Sequence, residues 1–248
     1  MSTRSAITTP VDGAFQGVYH HFDGYPEGVG EALLKLHQQT FKGDLDLMVK
    51  TLITDHPAGW SNLLADHSDG DPKPWSLEEF GRAGFKEYDP SRKRPGGPAC
   101  YCHGSRSEEA NPITCKGPQC DSQGCDALWI EWLYVLTPEH IGIWGSHSVG
   151  SRSDSDDGYR HRHIADIPWD FRPEVMEHVQ KVHYSDIPLT DPTRVKIDAM
   201  DRTELARAWR FSKPGNEFFQ PPYGDYLRSR FLMLGGMSPE ISKEIGLG

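Results

Sequence analysis

The chain has 248 residues and carries 36 acids against 26 bases, for a net charge of -10. That balance repels phosphate, so duplex nucleic acid is not an expected partner without a segregated basic patch. Only 36% of residues are apolar, mean hydropathy is -0.61, and 25 glycines and 19 prolines are present, which describes a modest core with much loop in one or two domains.

Residues 3–22 read as a β-hairpin, with Val11-Asp12-Gly13 at its turn, because Asp-Gly supplies the positive φ that tight hairpins need. Pro26 suits the first turn of a helix, which the spacing of Val29, Leu33, Leu36 and His37 extends to about Thr40. A second helix is predicted over 44–55, with Asp44 as its N-cap and Leu45, Met48, Val49, Leu52 and Ile53 on one face. Ser76 and Glu79 have the spacing of a capping box before a short helix. Residues 89–126 are dense in Pro, Gly, Ser, Asn and Cys and read as an irregular insert; its one basic run, Arg92-Lys93-Arg94, reads as a solvated loop.

Leu128 to Leu136 is apolar on both faces and reads as a central strand, with Ile141–Trp144 as its partner, so a second hairpin is expected over about 128–145. Residues 148–162 read as an exposed loop. Helices are predicted near 173–184, 202–211 and 224–234, with a short one after Ser238-Pro239. The expected fold class is therefore α+β. The two hairpins form an antiparallel sheet packed with helices in a core domain, 1–147, and a mostly helical region follows, 148–248.

Two constellations could carry chemistry. Cys100-Tyr-Cys102-His103, Cys115, Cys120 and Cys125 fall within 26 residues, and thiolates with an imidazole this close suit tetrahedral zinc. The spacings C-x-C and C-x4-C depart from the usual C-x2-C, so thiols in a loop, or one or two disulfides, stand beside structural zinc as readings. No H-x-E or H-E-x-x-H pattern accompanies these residues, which argues against a catalytic zinc. The second constellation is His21, Asp23 and Tyr25 at a strand-to-helix turn. If the strand runs on to Asp23, His21 and Asp23 share one face, and the N–H groups beyond Pro26 favour an anion, with Gly28 and Gly30 permitting close approach. The plainer reading has Asp23 as a helix cap, with the histidines packed or solvated.

The opening Met1-Ser-Thr-Arg-Ser5, followed by Tyr19-His-His-Phe-Asp-Gly-Tyr-Pro-Glu-Gly-Val-Gly30, resembles short proteins of tailed phages and actinobacteria that begin alike and carry a His-Phe/Trp-Asp-Gly-Tyr-Pro segment before a helix. The matching residues are His21, Asp23, Gly24, Tyr25, Pro26 and Gly30, and the resemblance covers roughly the first 40 residues and the 128–144 hairpin. It implies a phage-type accessory protein and no particular chemistry.

The leading expectation is a phage-type cytoplasmic accessory protein that binds a host protein, with Trp209-Arg-Phe211 and Phe218–Tyr223 as aromatic anchors. The alternative is an enzyme or small-ligand protein that uses His21, Asp23 and Tyr25 on a nucleotide or other anionic compound. No run of about 18 apolar residues predicts a membrane span, and the first residues lack a signal peptide's apolar core, so the expected location is the cytoplasm.

Overall fold

The computed structural model describes residues 3–63, 74–81, 83, 98–102, 112–115, 130–147, 160–213 and 215–246. Strands β1 (Ser5–Val11) and β2 (Ala14–His20) form the expected hairpin, with Asp12 and Gly13 at φ 50° and 78° in its turn. Both turn residues are left-handed, and this matches the twist of the flanking strands. Strands β6 (Trp132–Leu136) and β7 (His140–His147) form the second hairpin. Every residue of β6 is buried, as its two-sided apolar sequence requires.

The remaining strands are short or follow long gaps: β3 (Trp60–Asn62), β4 (Ala99–Cys100), β5 (Ile113–Cys115) and β8 (Arg160–Pro168). All eight join one sheet in the order β4-β3-β2-β1-β6-β7-β8, with β5 beside β2. The fold class is α+β as expected, but the sheet is mixed rather than antiparallel. The hairpins meet along a parallel β1–β6 pair, Ser5 opposite Trp132 through Thr8 opposite Val135, and β3 runs parallel to β2. A parallel pair needs a crossover connection, and the chain between β2 and β6 supplies it.

That crossover begins with two helices. Helix α1 runs through Pro26–Gly30, Glu31–Lys35 and Leu36–Thr40, and α2 through Leu45–Val49 and Lys50–Thr54, with π-type hydrogen bonding in the first and last segments of α1 and the last of α2. Val29, Leu33, Leu34, Leu36, Met48 and Leu52 are buried from these helices. The Trp60 indole N–H donates to Leu52 O (2.8 Å), tying α2 to β3, and the Tyr134 hydroxyl donates to Gly24 O (2.8 Å) at the foot of α1. Asp44 caps α2 by accepting from Leu47 N, and Ser76 and Glu79 form the capping box of α3 (Leu77–Phe80).

The chain divides into two compact units between Pro173 and Glu174, beyond the expected 147/148 boundary. The physical reason is β8, which pairs with β7 and carries the sheet through residues that read as loop up to 162. The second unit is helical: α4 (Val175–His183), α5 (Pro192–Ala199), α6 (Arg202–Phe211), α7 (Tyr223–Met233) and α8 (Pro239–Glu244). At its centre Arg194, 2% exposed, donates to Ile187 O and Val182 O and lies over the Tyr226 ring. No helix among the described residues is long and apolar enough to cross a membrane.

Candidate metal centre

Cys100 and Cys115 separate in space. Cys100 sits on β4 opposite Trp60, which in turn is opposite His20 on β2; Cys115 sits on β5 opposite Phe15. Paired residues share a sheet face, and residues of unlike parity along β2 point to opposite faces. Cys100 and Cys115 therefore project from opposite sides of the sheet and cannot share an ion. Cys115 instead lies 3.9 Å from Nδ1 of buried His161. His103, Cys120 and Cys125 lie outside the described residues.

Cys100 and Cys102 do come together, with a histidine the spacing did not suggest. A ligand atom of His56 and the sulfurs of Cys100 and Cys102 lie within 4.8 Å of one another. His56 and Cys100 are buried and Cys102 is half-buried. The grouping follows from the sheet. Helix α2 ends at Thr54, and His56–Gly59 makes a turn in which Gly59 N donates to His56 O (2.9 Å). Gly59 has φ 86°, and a Cβ there would stand 2.3 Å from Tyr19 O, so only glycine lets the turn lie against β2. Trp60 then enters β3 and pairs with Cys100, while Tyr101 N donates to Gly59 O (3.0 Å). This pairing lays the Cys-x-Cys segment along the His56 turn.

The surroundings support metal ligation. Ala58 N–H donates to Cys102 Sγ at 3.2 Å, which fixes the position of that sulfur beside the turn. The His56 ring packs on Trp60, 4.4 Å between centroids, which fixes its plane. One imidazole and two sulfurs are a donor set that a zinc ion accepts readily, and they would supply three of its four tetrahedral positions.

The strand-to-helix turn is organised differently from expectation. Strand β2 ends at His20, and Asp23 adopts φ 53°, so His21 and Asp23 do not continue one strand face. His21 Nδ1 pairs with the Tyr19 hydroxyl at 2.6 Å. Burial pushes the Tyr19 phenol up to about 12, so it stays a neutral hydroxyl in that pair. Asp23 is exposed. The N-cap position belongs to Tyr25, without a side-chain cap bond, so Asp23 does not cap the helix. Burial raises the Tyr25 phenol above its ordinary value.

The anion cradle expected at Gly28 and Gly30 is filled by the protein itself. Gly28 N donates to Tyr25 O (2.9 Å) and Val29 N to Asp23 O (3.0 Å). A Cβ at Gly28 would stand 2.1 Å from Asp23 O, so this glycine serves a backbone contact. Compared with known proteins, the chain matches no family model, no curated protein and no solved structure.

Proposed function

We propose that the chain is a zinc-stapled α+β protein in which the ion is structural. The observation that carries this reading is the convergence of His56, Cys100 and Cys102 within 4.8 Å where the β3–β4 edge meets the turn after α2. Strand β4 is only two residues long, and Ala99–Cys100 pairs with a three-residue β3. So few ladder bonds scarcely offset the cost of ordering the chain, about 1–2 kcal/mol per residue. A metal held by both segments would supply what is missing. The group contains no carboxylate to act as a base, and two of its three members are buried, both of which favour a structural ion over a hydrolytic one.

Purified protein should hold about one zinc per chain. Cobalt in its place should give the thiolate-to-cobalt charge-transfer absorption of a sulfur-ligated site. Cys100→Ser and Cys102→Ser should each weaken that band and lower metal content. Protein that takes up neither ion, or a cobalt spectrum unchanged by both substitutions, would overturn the assignment.

A second reading concerns partners. Trp209 and Phe211 on α6 are 44% and 57% exposed, unusual for rings of that size, and this supports the phage-type reading in which a host protein docks on the helical unit. Trp209→Ala with Phe211→Ala should abolish capture of a specific host protein, in a pull-down from host extract, while leaving the circular dichroism spectrum intact. Capture that survives the double substitution would remove these rings from the interface.

A further inference from the structure

Cys115, which the sheet keeps away from the His56 group, has a histidine of its own. It ends β5, a strand of three residues, and its Sγ lies 3.9 Å from Nδ1 of His161 on β8. Both side chains are buried, at 0% and 3% exposed. Strand β5 pairs with β2 and β8 with β7, so no backbone ladder joins the two residues. Their side chains alone connect the two strands, on the face of the sheet that Cys100 does not use.

The far side of the imidazole fixes its tautomer. His161 Nε2 lies 2.9 Å from Ile130 O. A carbonyl only accepts, so Nε2 carries a proton and Nδ1 is the atom turned to the sulfur. Histidines that bind metal are held in this way, donating the far N–H to a backbone carbonyl while the near nitrogen ligates. With Zn–S about 2.3 Å and Zn–N about 2.0 Å, two ligands of one tetrahedral ion stand about 3.6 Å apart. The observed 3.9 Å is close to that span. Ile113, Ile130 and Leu133 belong to the same buried cluster as Cys115. A thiol is a weak donor, and it repays little of the cost of burying an imidazole nitrogen among such groups.

We infer that Cys115 and His161 ligate a second zinc ion, distinct from the one proposed at His56, Cys100 and Cys102. The physical need is the same at both places. Strands β4 and β5 are two and three residues long, and each ends on a fully buried cysteine. A ladder that short scarcely offsets the cost of ordering its residues. An ion shared with β8, a strand of nine residues, anchors β5 where backbone pairing cannot. A tetrahedral ion takes two further donors. The sequence carries thiols five and ten positions beyond Cys115, at Cys120 and Cys125, which lie outside the described residues. Burial of both described ligands makes this ion structural as well.

The His56 group accounts for one zinc per chain, so elemental analysis of the full chain should find about two. The probe that separates the two ions is NMR-active cadmium, which takes zinc's place at sulfur sites. The wild-type chain loaded with it should give two cadmium resonances. Proton–cadmium correlation should tie one to the β protons of Cys100 and Cys102, and the other to the β protons of Cys115 and the ring protons of His161. Cys115→Ser should erase the second resonance and keep the first, and Cys100→Ser should do the reverse. His161→Cys supplies another ligand and should retain both ions. The wild-type correlations decide the question without any variant having to fold. A single cadmium resonance, or a second one uncoupled from Cys115 and His161, would overturn the inference. Loss of the Cys100 and Cys102 correlations alone would overturn the His56 site and leave this one standing.

Discussion

A neutral imidazole is built into strand β2. His20 is fully buried, and Leu63 N–H donates to its Nε2 at 3.2 Å. The ring proton therefore sits on Nδ1, which meets no acceptor among the described residues. Burial, with a smaller contribution from His21, pushes its pKa down to about 3. Unfolded, the same group titrates near 6.5. Between those values the unfolded chain takes up a proton that the folded chain refuses, so stability rises with pH across the window and falls as pH drops. The slope due to this one group approaches about 1.4 kcal/mol per pH unit. His20→Gln keeps an acceptor for Leu63 and removes the titration. Urea midpoints between pH 6.5 and 5 should fall less steeply in the variant than in the wild type. Parallel slopes would show that His20 takes up its proton as readily in the folded chain as in the unfolded one. Sequence alone could place His20 and His21 on opposite faces of a strand, but not say which face the helices would cover. His56 was equally hidden, since its partners lie more than 40 positions away and are brought to it by the β3–β4 pairing.

At the scale of elements, what was legible is what local chemistry determines. The Asp12-Gly13 turn, the Asp44 cap, the Ser76–Glu79 box and the apolar periodicity of α1, α4, α6 and α7 all act within a few residues. The elements missed are those whose reason lies elsewhere in the chain. Strand β8 has Ile164 and Ala165 both buried at its bulge, so the alternation that announces a strand is broken where it would be read. Helix α5 buries Thr193, Arg194 and Ile197, and its centre is a cation held by carbonyls, a tyrosine ring and Asp198 rather than an apolar stripe. Its start was nonetheless written in Asp191-Pro192, where the Asp side chain accepts from Thr193 N and Arg194 N. The parallel contact of the two hairpins has no local signature at all, because it depends on where a crossover of more than 100 residues returns the chain.

At the scale of the whole molecule, two units built on different physics should respond differently to metal removal. The first, Met1–Pro173, is a mixed sheet with short edge strands and holds the His56, Cys100 and Cys102 group. The second, Glu174–Gly248, is held around Arg194, with Asp198 accepting from the Tyr226 hydroxyl at 2.5 Å, and lies outside that metal group. The chain reports on each separately. Of its seven tryptophans, Trp209 alone follows Pro173, so fluorescence is weighted toward the sheet, while α4–α8 give the second unit a strong helical signal. An ion present at a thousandfold over its Kd stabilises the unit that binds it by about 4 kcal/mol. Chelator should therefore lower the fluorescence-detected unfolding midpoint substantially and leave a helical circular dichroism transition at its original position, and added zinc should restore the first. Fluorescence and helical transitions that shift together by the same amount would mean the units unfold as one. A fluorescence midpoint indifferent to chelator would mean that the β3–β4 edge stands without a staple.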